Sequence, residues 1–144
     1  MEKNGFSMIE LMISLSVIST LIVLGVPAYG SIKSNVILKN EVYGLVNNIR
    51  EAQNLAQISQ DGEKHGVFIE SDKYTLYSGE SFASAEEKQS FDFVNSIVVY
   101  DGIGRDISFE RLSGTTASTS IRIGLNPSDS IDVQIDRNGR VEID

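Results

Sequence analysis

Residues 5–32 read GFSMIELMISLSVISTLIVLGVPAYGSI and decide the class of this protein. Between Glu10 and Lys33 lie 22 residues without a charged side chain. As a helix, the apolar run from Phe6 to Ile32 would extend roughly 40 Å at about 1.5 Å per residue, which exceeds the ~30 Å hydrocarbon core of a bilayer. The sequence therefore predicts a membrane-spanning helix over residues 6–32.

A cleavable secretory signal is one alternative for this N-terminus, because Lys3 supplies a short cationic start. The apolar core of such a signal is usually about 7 to 15 residues long and ends at a small-residue cleavage site. This run is longer, and no Ala-x-Ala site follows it. A plain single-pass anchor is the second alternative, but it gives no reason for Glu10 inside the apolar run.

Glu10 is the only charged residue between Lys3 and Lys33. A charged side chain at the membrane centre costs on the order of 2.5 to 3.5 kcal/mol, less near the interface, and such a group usually has a function and a partner. A carboxylate that snorkels to water is the structural alternative. The string Gly5-Phe6-Ser7-Met8-Ile9-Glu10-Leu11 resembles the type IV prepilin signature: a polar leader that ends in Gly, an aromatic residue, and a Glu four positions further on.

This resemblance implies that residues 1–5 are a leader peptide, removed by a prepilin peptidase that cuts between Gly5 and Phe6 and methylates the new amine of Phe6. It also implies that Glu10 pairs with the N-terminal ammonium of a neighbouring subunit, an attraction that is stronger in an apolar helical core than in water. Pilins commonly carry a proline at the position of Pro27, where it bends the helix. Alternatively, Pro27 simply ends the membrane helix.

An amphipathic pattern follows and covers residues 33–60. Its apolar residues recur every three or four positions, the spacing of one face of a helix, at Leu38, Val42, Leu45, Ile49, Ala52 and Ala56. Fewer than three heptads with two alanines would make a weak coiled coil, so we expect this face to pack on a sheet. Asp61-Gly62 is expected to stop the helix.

From residue 61 to residue 144 the pattern alternates with period two, and turn residues separate the alternating segments. The candidate strands are Gly66–Glu70, Tyr74–Tyr77, Asn95–Tyr100, Asp106–Glu110, Ser120–Leu125, Ile131–Asp136 and Arg140–Ile143. The predicted fold class is α+β, with a long N-terminal helix packed on a small antiparallel β domain, as in pilins. The segment Ser78–Phe91 has neither strand alternation nor enough apolar residues for a buried helix, so we expect an exposed loop with room for one helical turn.

The last hairpin allows a test of strand register. A two-residue Asn138-Gly139 turn would pair Ile135 with Glu142 and mix apolar and charged side chains on one face. A three-residue loop over 137–139 instead pairs Ile135 with Val141 and requires Gly139 to adopt a left-handed conformation, which glycine does at little cost.

Composition argues against several classes of function. From Lys33 onward the chain has 11 basic and 18 acidic side chains, and a net charge of −7 repels nucleic acids and anionic lipid surfaces. The chain has no cysteine, so no disulfide can form. Arg137 and Arg140 flank the last turn and offer the alternative of DNA contact, as in DNA-uptake minor pilins, but two arginines neutralise one or two phosphates at most.

No catalytic constellation is found. His65 has no cysteine or second histidine with which to share a metal, and no Gly-x-Ser-x-Gly motif is present. Gly102-Ile103-Gly104 is too short for a dinucleotide fingerprint and is interpreted as a turn. Three aspartates, Asp129, Asp132 and Asp136, offer a calcium site as one alternative and separate solvated carboxylates as the commoner one. We expect no enzyme activity, no cofactor and no metal.

The later segments are similar to the GspH/FimT family of minor pseudopilins and minor pilins. The supporting strings are Asn48-Ile49-Arg50-Glu51-Ala52, Val67-Phe68-Ile69, Ile107-Ser108-Phe109 and Asn138-Gly139-Arg140-Val141. The resemblance implies a subunit of a type II secretion or type IV pilus-type filament in the bacterial inner membrane, with its β domain outside the cytoplasm. Its partners would be prepilin peptidase, other pilin-like subunits, an inner-membrane assembly platform and lipid. A membrane-tethered binding domain that never assembles is the alternative from another class.

Overall fold

The computed structural model describes residues 7–94 and 96–144. One long helix, α1, spans Met8–Gln57, and a short 3-10 helix covers Gln60–Gly62. Eight strands follow within the described residues: β1 His65–Ile69, β2 Lys73–Ser78, β3 Glu87–Asp92, β4 Val98–Asp101, β5 Asp106–Phe109, β6 Thr119–Asn126, β7 Asp129–Ile135 and β8 Val141–Ile143.

The chain divides into two compact units, with the boundary between Ile37 and Leu38. In the first unit α1 is helical from Met8 onward, and the helix continues past position 27. Pro27 therefore does not end the helix, while the bend predicted there stays a prediction. The predicted cleavage site, Gly5 and Phe6, lies outside the described residues.

The second unit contains two four-stranded sheets with the orders β3-β2-β1-β5 and β4-β6-β7-β8. All of their strand pairs are antiparallel. This arrangement confirms the predicted class, a helix packed on a small antiparallel β domain. That the strands divide between two sheets was not predicted.

The core of the second unit is built on the apolar stripe of α1. All six residues of the stripe, from Leu38 to Ala56, are at most 2% exposed, as the three-and-four spacing predicts. Alternate residues of both sheets meet this stripe in the core, and they include Val67, Ile69, Ile107, Phe109, Ile121, Ile123, Val133 and Ile135. Full burial of one such aliphatic side chain contributes about 1.5 to 3 kcal/mol.

The terminal hairpin has the predicted register. Ile135 pairs with Val141 and Val133 with Ile143, so the loop contains the three residues 137–139. Gly139 has a φ of 77°, in the left-handed region. The side chain of Asp136 accepts hydrogen bonds from the backbone N–H groups of Asn138 and Arg140, which fixes the turn.

The prediction of a loop over Ser78–Phe91 is wrong at both ends. Ser78 is the last residue of β2, and Glu87–Asp92 form β3, paired with β2 along its full length. β3 is an edge strand whose residues are all exposed except the half-buried Phe91. A strand held mainly by its backbone ladder shows no apolar alternation, and the sequence pattern could not reveal it.

Gly139 and Gly104 provide a matched pair for a test of packing, because both have a φ of 77°. A Cβ at Gly139 would clash with Gln53 Nε2, whereas a Cβ at Gly104 would meet nothing within 4 Å. We expect Gly104→Ala to lower the free energy of unfolding by about 1 to 2 kcal/mol, the cost of a left-handed residue. Gly139→Ala should cost about 1 to 3 kcal/mol more, because Gln53 must release the carbonyls of Gly114 and Asn138.

Chemical denaturation of both variants measures this difference. Equal losses of stability would show that the contact with Gln53 does not constrain the hairpin.

Candidate functional site

Between Met8 and Leu24, α1 exposes a large apolar surface. Along α1 the following side chains are between 53% and 82% exposed: Met8, Ile9, Leu11, Met12, Ile13, Leu15, Val17, Ile18, Leu21, Ile22, Val23 and Leu24. These positions surround the helix rather than forming one stripe. A helix that is apolar all round is stable only when an apolar medium or other helices cover it.

The polar groups of this surface are already satisfied within the helix. The hydroxyls of Ser14, Ser16, Ser19 and Thr20 each donate to the carbonyl four residues earlier, at 2.8 to 3.0 Å. Such back-bonding leaves no hydroxyl donor that requires water. The surface can therefore be covered by lipid or by other helices without the cost of an unpaired donor.

Over the residues that the structure describes, no helix combines the length and the apolar character needed to cross a membrane. The membrane-spanning segment predicted for residues 6–32 is therefore not confirmed and stays a prediction.

Glu10 lies in the first turn of α1, where its Oε2 accepts a hydrogen bond of 3.1 Å from the backbone N–H of Ser7. A serine just before a helix and a glutamate three residues later form the pattern of a capping box, in which the acid satisfies a free N–H at the helix start. The negative charge is also favourable near the positive end of the helix dipole. The spacing of Ser7 and Glu10 in the sequence indicates a capping box, but this contact was not predicted.

The comparisons with known proteins address both units. Residues 1–26 match the family described as the prokaryotic N-terminal methylation motif. The fold is similar to that of the minor pseudopilin EpsH from the Type 2 Secretion System of Vibrio cholerae, with a TM-score of 0.57 and 13% sequence identity over 74% of this chain and 94% of that chain. The fold is pilin-like. A search of curated protein sequences finds no match.

Two of the three candidate calcium ligands, Asp132 and Asp136, are held in other contacts. Arg122 donates two hydrogen bonds to the carboxylate of Asp132. The distances are 2.7 Å from Nε to Oδ1 and 2.8 Å from Nη2 to Oδ2. Asp136 accepts backbone N–H groups in the terminal turn. Among the described residues, no three acidic, histidine or cysteine side chains are placed to hold a metal ion.

The two arginines considered for DNA contact are both exposed beside the terminal turn. The Nη2 of Arg140 lies 2.9 Å from Oε1 of Glu142, so this guanidinium shares its charge with a carboxylate. The hairpin offers less positive potential than its arginine count suggests.

His65 is buried at the start of β1, 6% exposed, with Nε2 3.4 Å from the carbonyl oxygen of Gln60. This contact places it between the sheet and the 3-10 helix, in agreement with a structural role. Gly102 and Gly104 have φ values of 95° and 77°, and they form the turn between β4 and β5.

The loop of residues 79–86 is packed on the outer face of the first sheet rather than free. Its Phe82 stacks on Phe68 with a distance of 4.1 Å between ring centroids, and Lys88 lies 4.6 Å from the centroid of Phe82. Beneath it, burial and a hydrogen bond to Asp106 raise the pKa of Tyr77 well above its usual value. The sequence pattern held no sign of this cluster, because its members come from β1, β2, β3 and the loop.

The Arg122–Asp132 pair predicts a specific acid dependence of stability. The hydrogen bond from Arg122 lowers the pKa of Asp132, so the pair stabilises the fold above the unfolded pKa of about 3.9 and loses its effect as the pH falls below it. Asp132→Asn should lower the free energy of unfolding by roughly 0.2 to 1 kcal/mol at pH 7, with a difference that disappears near pH 2.

Urea denaturation at several pH values measures this effect. Asp129→Asn is the matched control, because it removes the same charge without removing an arginine contact. Identical pH profiles for the two variants would contradict a stabilising role for the pair.

Proposed function

We propose that this pilin-like protein is a minor pseudopilin or minor pilin, a subunit of a type II secretion or type IV pilus-type filament in the bacterial inner membrane. The observation that carries the proposal is the apolar surface that surrounds α1 between Met8 and Leu24. A surface of this extent needs a permanent cover. Lipid before assembly and the helices of neighbouring subunits after assembly would provide it in turn.

The methylation motif over residues 1–26 supports a processing step before assembly. Prepilin peptidase would cut after Gly5 and methylate the amine of Phe6, and residues 6–32 would hold the subunit in the membrane. An inner-membrane assembly platform would then extract the subunit, with the β domain on the outer side. In the extraction step, α1 would exchange one apolar environment, the lipid, for another, the helices of neighbouring subunits.

Glu10 has two compatible roles in this scheme. Within one subunit its carboxylate caps the helix through Ser7. A carboxylate has about four lone-pair positions, so the same group can also accept the N-terminal ammonium of a neighbour. In the apolar helical core this charge pair is much stronger than in water, and a subunit with an unpaired Glu10 would be disfavoured there.

A structural role is also favoured over catalysis and over DNA binding. The only histidine contacts a backbone carbonyl in the core, and Arg140 is paired with Glu142. The acidic second unit repels polyanions at long range. We therefore assign to this protein the binding of other subunits and no chemical step.

The intact mass of the protein purified from its own membranes tests the processing step. We expect a chain that begins at Phe6 and carries one methyl group on its amine. A chain that still begins at Met1, in cells with an active prepilin peptidase, would exclude assembly and leave a membrane-tethered β domain.

Two substitutions of Glu10 separate its capping role from its charge. Glu10→Gln keeps an oxygen that can accept the Ser7 N–H, whereas Glu10→Ala removes the oxygen and the charge together. We expect both variants to be processed at Phe6, and we expect both to be lost from filaments, because neither can pair with an ammonium.

The measurement is the amount of each variant in sheared filament fractions relative to membranes. Normal incorporation of Glu10→Gln with loss of Glu10→Ala would show that the helix cap, not the charge pair, is the essential contact.

A further inference from the structure

A polar trough lies on the outer face of the second sheet. Ser120 of β6, Gln134 of β7 and Glu142 of β8 are register partners, and their exposed side chains form one row across the three strands. The trough around this row has a volume of about 400 Å³, within the ~300 to 1,000 Å³ that is typical of ligand clefts. We call it the β6–β8 trough, and Arg105 and Arg140 also line it.

Arg105 is fixed at the β6 side of the trough. Its Nη1 donates to the hydroxyl of Thr119 at 2.7 Å and to the carbonyl of Ser120 at 2.6 Å, and its Nη2 lies 3.4 Å from Oδ1 of Asp101. These contacts involve only the Nη atoms, so the N–H of Nε is left for a ligand. A side chain that is already held in place loses little conformational entropy when a ligand binds.

The β8 side of the trough carries an exposed ion pair. Nη2 of Arg140 lies 2.9 Å from Oε1 of Glu142, and the two side chains are 75% and 58% exposed. An ion pair with this exposure is weak, so both groups can turn towards a ligand at little cost. Asp136 also lines the trough, although its Oδ1 already accepts the backbone N–H groups of the terminal turn.

The charges that line the trough cancel. Arg105 and Arg140 provide two positive side chains, and Asp136 and Glu142 provide two negative ones. An anionic ligand would meet the carboxylates, and a cationic ligand would meet the guanidinium groups. The trough therefore favours an uncharged ligand.

The uncharged side chains in the trough are hydrogen-bonding groups. Ser118 and Ser120 each offer a hydroxyl that can donate and accept. Gln134 keeps its amide oxygen as an acceptor, while its Nε2 donates to Asp144 at 3.0 Å. Ile135 also lines the trough but is only 1% exposed, so a lipid chain or an apolar peptide side chain would gain almost no contact area.

The neighbouring row of the same sheet has no comparable space. There Arg122 of β6 binds Asp132 of β7 through two hydrogen bonds, and the two groups satisfy each other. Ser120 precedes Arg122 by two residues and lies on the same face of β6, but its side chain is short. This serine leaves the row open where an arginine would close it.

We infer that the β6–β8 trough binds a neutral glycan. Each hydroxyl of a sugar ring can both donate and accept a hydrogen bond, which matches the serine hydroxyls, the amide of Gln134 and the guanidinium groups of Arg105 and Arg140. The inference goes beyond the proposed function, because assembly through the N-terminal helix needs no ligand on the outer domain.

Titration calorimetry of the full chain tests this inference, in micelles of a detergent that has no sugar head group. The probes are two neutral oligosaccharides, the hexamers of β-1,4-linked glucose and of β-1,4-linked N-acetylglucosamine. We expect saturable binding of at least one of them. Failure of both hexamers to bind would overturn the inference.

A substitution within the row locates the binding. Ser120→Val removes the hydroxyl and fills part of the trough, but it retains the backbone carbonyl that holds Arg105. We expect roughly tenfold weaker binding, because a hydrogen bond and the space for a sugar ring are both lost. The melting temperature should not fall, since valine suits an exposed position in a strand.

Gln89→Val is the matched control, because Gln89 is exposed on β3 of the other sheet. This variant should bind the hexamer as tightly as the natural protein does. Equal affinities of Ser120→Val and Gln89→Val would contradict binding in the trough.

An anionic probe tests the class of ligand. The hexamer of galacturonate has a carboxylate on every ring, and we expect it to bind more weakly than the neutral hexamers. Tighter binding of galacturonate that falls steeply with added salt would overturn the neutral class and assign the trough to anions.

The amount of Ser120→Val in sheared filament fractions separates this inference from the proposed function. Normal incorporation with weakened glycan binding supports both proposals. Normal incorporation with unchanged glycan binding overturns the glycan site alone. Loss of Ser120→Val from filaments would place the trough in an interface between subunits and would also overturn the glycan site.

Discussion

The burial of one apolar face of α1, from Leu38 to Ala56, is the interaction on which the second unit depends. Neither sheet has a core without this face, because the inward residues of the strands need an apolar surface to cover them. The helix also contacts strand β2 and two loops through its polar side chains. Asn48 donates to the hydroxyl of Tyr74, and Gln53 donates to the carbonyls of Gly114 and Asn138.

The same helix presents two kinds of surface with different requirements. In the second unit its apolar residues form a stripe that the subunit buries by itself. In the first unit the apolar residues surround the helix, and nothing within the described part of that unit covers them. In the first unit, the serine and threonine hydroxyls donate hydrogen bonds within the helix. These donors therefore need no water, and the surface is compatible with an apolar environment.

These properties suit the proposed role of this protein as a filament subunit. Assembly requires surfaces whose polar groups keep their hydrogen-bond partners in more than one environment. The capped Glu10 and the back-bonded hydroxyls of the apolar helix have such partners within α1. The second unit contributes a rigid body, with a packed loop over Phe68 and a tightly bonded terminal turn.

The sequence by itself determined the features that depend on local pattern. The stripe on α1 follows from the periodicity of the apolar residues. The three-residue hairpin loop follows from the strand alternation and from the conformational freedom of Gly139. The signature around Glu10 is also local, and it pointed to the family resemblance. Even the capping contact of Ser7 and Glu10 was readable from their spacing.

Only the tertiary structure decided the features that join distant segments. β3 is a strand because β2 offers it a backbone ladder, although its own side chains are polar and exposed. The cluster of Phe68, Tyr77 and Phe82 and the β6–β8 trough likewise depend on residues far apart in sequence. Periodicity reports which face of an element is buried, but not which element covers it. For this reason the division into two sheets emerged only in three dimensions.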